Sequence, residues 1–113
     1  MKKPKTKIKE IDLQKDIVSW LLYQGHFVWR SNTGVFFLKN KQGKTRMFRS
    51  GIKGLSDIIG LLRNGQFVAI ECKVGYNKLT KDQEEFLEKV RYLGGIGLCA
   101  KSLDSVIACL KDL

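Results

Sequence analysis

Histidine and proline are almost missing from this chain: His26 and Pro4 are single occurrences, and the only thiols are Cys72, Cys99 and Cys109. One histidine and three scattered cysteines make no CxxC pair and no spacing that zinc ligation uses, so structural zinc is not expected. An odd number of thiols without a framework spacing argues for a reducing cytosol and against a disulfide-stapled secreted domain. The three read instead as small buried apolar residues. Long hydrophobic runs are lacking as well. No window approaches the roughly 18 apolar residues that a membrane span needs, and no apolar core follows the five lysines of Met1–Lys9 as it would in a signal peptide. A cytoplasmic protein without a membrane partner is the expectation. Acidic residues are scarce too, 11 Asp plus Glu against 21 Lys plus Arg, which leaves a formal net charge of +10. That imbalance favours a polyanion, nucleic acid first and an anionic membrane surface second, and it speaks to association rather than chemistry.

What is present fits one core. The 113 residues are 43% hydrophobic, too apolar for a disordered basic tail and too short for two domains. The reading is a basic arm over residues 1–9 and a single domain over residues 8–113. Between Ile8 and Gln24, Ile11, Ile17, Val18, Leu21 and Leu22 recur at helical spacing, and Gly25 ends the run. Short strands follow at Phe27–Trp29, Val35–Leu38 and Thr45–Phe48, then a loop, Arg49 to Gly54, rich in glycine and cations. The apolar runs Asp57–Leu62 and Phe67–Val74 flank Asn64 and Gly65, a strong two-residue hairpin signal, and read as a central antiparallel pair. Thr80 with Gln83 makes a capping box for a helix whose stripe is Phe86, Leu87, Val90 and Leu93. A last strand, Ile96–Ala100, and a helix capped by Ser102 complete the order α-β-β-β-β-β-α-β-α, an α+β or mixed α/β domain with a mixed central sheet flanked by helices.

One constellation carries chemistry. Glu71 and Lys73 alternate out of an apolar strand and share a face. A structural ion pair at a sheet edge explains an isolated ExK triplet. Asp57, on the partner strand of the hairpin, adds a second carboxylate, and Mg2+ is commonly held by one or two carboxylates plus phosphate oxygens. A lysine beside them suits phosphodiester hydrolysis, where a cation orients water and stabilises developing charge. Register is the obstacle: an ideal two-residue turn would pair Arg63 with Gln66 and send Asp57 to the face away from Glu71. A joint site therefore requires a bulge, a different loop length, or an Asp57 that precedes regular pairing. Arg30, Arg46, Arg49, Lys53 and Lys78, with Asn32, are candidate phosphate contacts, each singly explicable as a solvated residue. Trp29, at the end of the strand Phe27–Trp29, offers a ring on which an unpaired base can stack, but a tryptophan in such a run more often packs in a core, and it is not assigned to DNA.

Helix-one residues Asp12–Gln14, the segment Val28–Gly34, Gly54–Gly60 with Asp57, Ile70–Lys73 with Glu71 and Lys73, and Leu79–Thr80 with Gln83 and Phe86–Gly95 together resemble the VRR-NUC nucleases of the PD-(D/E)xK superfamily, in their stand-alone phage and bacterial form. The resemblance spans nearly the whole chain. It implies a restriction-endonuclease-like core and a Mg2+- or Mn2+-dependent endonuclease. Asp57, Glu71 and the backbone carbonyl of Cys72 would be ligands, and Lys73 would serve the nucleophilic water. It further implies a homodimer acting on branched DNA such as Holliday junctions. Many members carry a glutamate on helix one where this chain has Gln14. Gln14 can hold a metal-bound water, Glu10 one turn earlier can supply the charge, and a solvent-facing helix explains both equally. Gln83 is either a cap alone or a group supporting the site. The alternatives to the junction endonuclease are a catalytically silent nucleic-acid-binding module of the same fold and a flap or gap nickase.

Overall fold

A computed structural model describes residues 9–31, 35–49 and 51–113, with the side chains of 35–38 and 47–49 left aside. The basic arm up to residue 8 and Asn32 lie outside the described residues. Helix α1 spans Glu10–Tyr23. Leu13, Ile17 and Leu21, spaced by four, form its buried stripe, while Ile11 and Leu22, expected inside, are exposed. Glu10 and Asp12 in the first turn suit the positive end of the helix dipole.

Strands β1 (Phe27–Arg30), β4 (Ile58–Leu61), β5 (Phe67–Cys72) and β6 (Ile96–Ala100) form a mixed sheet in the order β1-β4-β5-β6. The first three pair antiparallel, and β6 runs parallel to β5 because α2 (Lys81–Tyr92) carries the chain back between them. Strands β2 (Val35–Lys39) and β3 (Thr45–Arg49) pair with each other in a separate two-stranded sheet. Helix α3, Leu103–Leu110, is capped by Ser102, whose hydroxyl accepts the Ser105 N–H at 3.1 Å. The architecture is α+β. Val68, Ile70 and Cys72 of β5, Val28 and Ile58 pack with α1 and with Val106 and Leu110 of α3 into one core. Helix α2 packs on β5 and β6 from the other side, with Leu87 fully buried.

The β4–β5 turn departs from the two-residue expectation. Leu62 N–H reaches Gln66 O at 2.8 Å and Gly65 N–H reaches Leu62 O at 2.9 Å, so Arg63, Asn64 and Gly65 form a three-residue loop. A type I′ turn would need positive φ at both central residues. Asn64 does not adopt it, since among the described residues only glycines have positive φ; Gly65 does, at +88°. The loop is thus a right-handed turn closed by a left-handed glycine, the pattern that leaves a bulge. Asn64 Oδ1 accepts the Gln66 N–H at 2.9 Å, and His26 Nδ1 accepts the Arg63 N–H at 3.0 Å. The ladder then pairs Ile58 with Ile70 and Leu61 with Phe67.

Further burial expectations fail. Cys99 and Cys109 are exposed and only Cys72 is buried: Cys109 precedes the buried Leu110 of α3 by one position, and Cys99, in register with Glu71, lies on the edge strand β6. Trp29 is 44% exposed: β1 is an edge strand, and α1 covers only its Val28 side. Leu93 caps α2 and is exposed. Among the described residues no helix is long and apolar enough to cross a membrane. Replacing Gly65 with alanine places a Cβ at positive φ, and urea denaturation is expected to show a loss of about 1–2 kcal/mol; an unchanged midpoint would contradict this account of the turn.

Candidate functional site

Register decides what shares a sheet face. Phe27, Leu61 and Phe67 form one row across β1, β4 and β5, and Trp29, Ile59 and Ala69 form the next. One further step brings Asp57 opposite Glu71. Asp57 sits at a bend just before β4, where its carbonyl accepts the Ser31 N–H at 2.8 Å. Its carboxylate Oδ2 takes the Cys72 N–H at 2.8 Å, a charge-assisted bond that stands in for the ladder contact a regular strand would make. The loop ahead of it is pressed on α2. Gly54 has φ +74°, and a Cβ there would overlap the carbonyl of Asp82.

Glu71 is only 3% exposed. Its Oε1 accepts from Gln83 Nε2 at 3.1 Å, and its Oε2 is buried without a hydrogen-bond partner. Gln83 performs both tasks that the sequence leaves open. Its Oε1 accepts the Thr80 N–H at 2.9 Å while its own N–H donates to Thr80 Oγ1 at 3.2 Å. Because the capping box uses the amide oxygen, the amide nitrogen must face Glu71. Lys73 continues the strand, its N–H donating to Ala100 O at 2.9 Å, and alternation puts its side chain on the face of Glu71.

Burial and the charge of the neighbouring Asp57 carboxylate push the Glu71 carboxyl up to about 8, and the Lys73 ammonium offsets part of that rise. Two carboxylates this close cannot both ionise cheaply without a cation. Burial and the charges of Asp57, Glu71 and Glu10 push the Cys72 thiol up to about 12, which leaves it a packing residue. Its thiol is no ligand.

The helix-one candidates are engaged elsewhere. Glu10 Oε1 accepts from Asn77 Nδ2 at 2.9 Å and from the Val74 N–H at 3.4 Å, and Gln14 Oε1 accepts from Arg30 Nε at 3.0 Å. Among the described residues no group of three or more His, Cys, Asp and Glu side chains is arranged to hold a metal ion. Arg30, Arg46, Lys53 and Lys78 are all exposed, with Arg46 on the separate β2–β3 sheet; Asn32 and the side chain of Arg49 fall outside what is described. Ser31, which the sequence offers only as part of the segment Val28–Gly34, ties β1 to the Asp57 bend, its hydroxyl also donating to the carbonyls of Ser56 and Asp57. No signal in its local pattern marks that role.

Set against family models, curated proteins and solved structures, the chain matches none. What the site can do rests on its own chemistry. A two-carboxylate set with one orphan oxygen fits a hard divalent cation that completes its shell with water and phosphate oxygens, and does not fit zinc. Without a cation, folded Glu71 holds its proton more tightly than the unfolded chain, whose glutamate titrates near 4.5. Folding stability is therefore expected to be fullest below that value and to fall as pH rises towards about 8. Urea titrations across that window on wild type and Glu71→Gln test this, the variant being expected to lose the slope.

Proposed function

We propose that the chain is a metal-dependent, structure-specific DNA endonuclease, a hydrolase that cuts phosphodiester bonds in branched DNA such as Holliday junctions. The observation that carries the reading is the buried Glu71 carboxylate beside Asp57 with one oxygen unpartnered, a costly arrangement that a divalent cation relieves. Mg2+ or Mn2+ would be held by Asp57, Glu71 and the carbonyl of Cys72, and when bound it would acidify a water and neutralise phosphate charge. The rest falls to the chain's own groups. The Lys73 ammonium, on the same face, orients the attacking water and stabilises the charge that builds on the phosphate oxygens. Water oxygen bonds to phosphorus as the ester P–O bond opposite it breaks; the proton that the water sheds passes to solvent, and solvent returns one to the departing oxygen. Gln83 and the Cys72 N–H hold the two carboxylates in place, so positioning costs nothing at the moment of reaction.

Net charge supports the substrate class: +10 on a 113-residue chain favours a polyanion, with Lys53 and Lys78 available for phosphates, whereas Arg30 is bonded to Gln14 on the opposite face of the sheet. A homodimer would present two such sites related by a two-fold axis, suited to paired cuts across a junction. A catalytically silent binding module is the second reading, favoured by the engagement of Glu10 and Gln14 away from the carboxylate pair.

Purified protein incubated with Mg2+ or Mn2+ on junction, flap, gapped and linear DNA separates them. Metal-dependent cutting is expected, lowered roughly 100-fold or more in Asp57→Asn and in Lys73→Ala with binding retained. A wild type that binds but cuts none of these substrates establishes the silent module, and single nicks confined to flaps or gaps establish a nickase. Mn2+ is also expected to raise the melting temperature of wild type more at pH 8.5 than at pH 6, where protons compete for Glu71, and to leave Asp57→Asn unmoved.

A further inference from the structure

The rows that end in the carboxylates begin in exposed aromatics. Phe27 is 66% and Trp29 44% exposed, their rings tilted at 53° with centroids 5.2 Å apart. Both project from the edge strand β1 on the face that Asp57 and Glu71 share, the half of the sheet beyond α2, which packs on β5 and β6. Trp29 stands one row from the Asp57–Glu71 row, about 7 Å along the strand, and Phe27 one row further. Lys73 lies beyond the carboxylates at the other end. The face thus reads, in order, aromatic pair, carboxylate pair, cation.

Leaving two aromatic rings in water is unfavourable unless something covers them, and the neighbouring groups say what. A cation and a candidate metal position at one end suit a phosphodiester, and flat π-surfaces one row away suit the base attached to it. Beside them an apolar groove of about 560 Å³, bordered by Ile52, Ile59, Phe67 and Phe86 with Lys89 at its edge, leaves room for a base turned out of its stack. Bases within an intact duplex hide their faces, so only an unpaired nucleotide can stack here.

Resting on the endonuclease reading, we infer that Trp29 and Phe27 form a stacking platform for an unpaired nucleotide adjoining the phosphodiester held at Asp57, Glu71 and Lys73. The enzyme accordingly selects DNA with an unpaired base at the branch, and fully paired duplex is a poor ligand.

The test measures binding in EDTA, where no cutting occurs, by anisotropy of a labelled oligothymidine and of a duplex of equal length. Trp29→Leu keeps an apolar side chain opposite Ile59 and removes the π-face; Phe27→Leu does the same opposite Leu61. Each is expected to weaken single-strand binding roughly 5- to 100-fold, the equivalent of about 1–3 kcal/mol per stacked base, and to leave duplex binding unchanged. An abasic oligonucleotide, with the same phosphates and no bases, is expected to bind wild type and Trp29→Leu equally. Melting temperatures confirm that the variants fold, and Trp29→Phe is expected to restore binding. Equal single-strand affinity of wild type and Trp29→Leu, or an abasic strand that binds wild type as tightly as oligothymidine does, overturns the platform. So does sedimentation showing that Trp29→Leu splits a dimer while DNA affinity holds, which would assign the aromatics to a second copy. A protein that passes these binding tests yet never cuts DNA refutes the endonuclease and keeps the platform.

Discussion

A single backbone constraint, the left-handed conformation of Gly65, sets the register on which the rest depends. Asn64 stays right-handed, so the turn lengthens to three residues and the β5 strand slides by one against β4. In a sheet whose faces differ, that slide exchanges inside for outside. With the observed pairing, Ile58 meets Ile70 in the core under α1, and Asp57 meets Glu71 on the opposite face. The same constraint that packs the core therefore assembles the charged pair. Core and site are not independent features.

Burying Glu71 beside the half-buried Asp57 needs compensation, and the fold supplies it in pieces. The Cys72 N–H takes one oxygen of Asp57, Gln83 takes one oxygen of Glu71, and the Lys73 charge acts on the pair from the next position of the strand. Helix α2 contributes through its cap. Gln83 closes the capping box with its oxygen and is left with a nitrogen to offer, so the helix start and the carboxylate are mechanically linked. Gly54 lets the loop before Asp57 lie directly on the first turn of the same helix. One buried oxygen, Glu71 Oε2, remains without a partner among the described residues.

Local patterns were legible wherever the information was local. The Thr80–Gln83 and Ser102 caps, the end of α1 at Gly25 and the central place of β4 and β5 follow from neighbouring residues and appear in the structure. Glu71 and Lys73 were recognisable as charges inside an apolar strand. Errors came where a residue's fate depends on a distant neighbour. Trp29 has the composition of core and lies on a half-covered edge strand; Cys99 and Cys109 have the usual preference of cysteine for the interior and fall one step off the buried set. The stripe of α1 turned out to run through Leu13 rather than Ile11 because the helix rotates to meet the sheet.

The amino-acid sequence by itself determined the element types, the excess of cations and the presence of Asp57, Glu71, Lys73 and Gln83 as candidates, since propensity, capping and charge act over a few residues. Only the tertiary structure decided that Asp57 and Glu71 meet, that Glu10 and Gln14 bond elsewhere, and that Phe27 and Trp29 stand in solvent on the face of the carboxylates. Strand register and helix coverage are properties of pairs of elements, and a turn that changes by one residue reverses what each side chain faces.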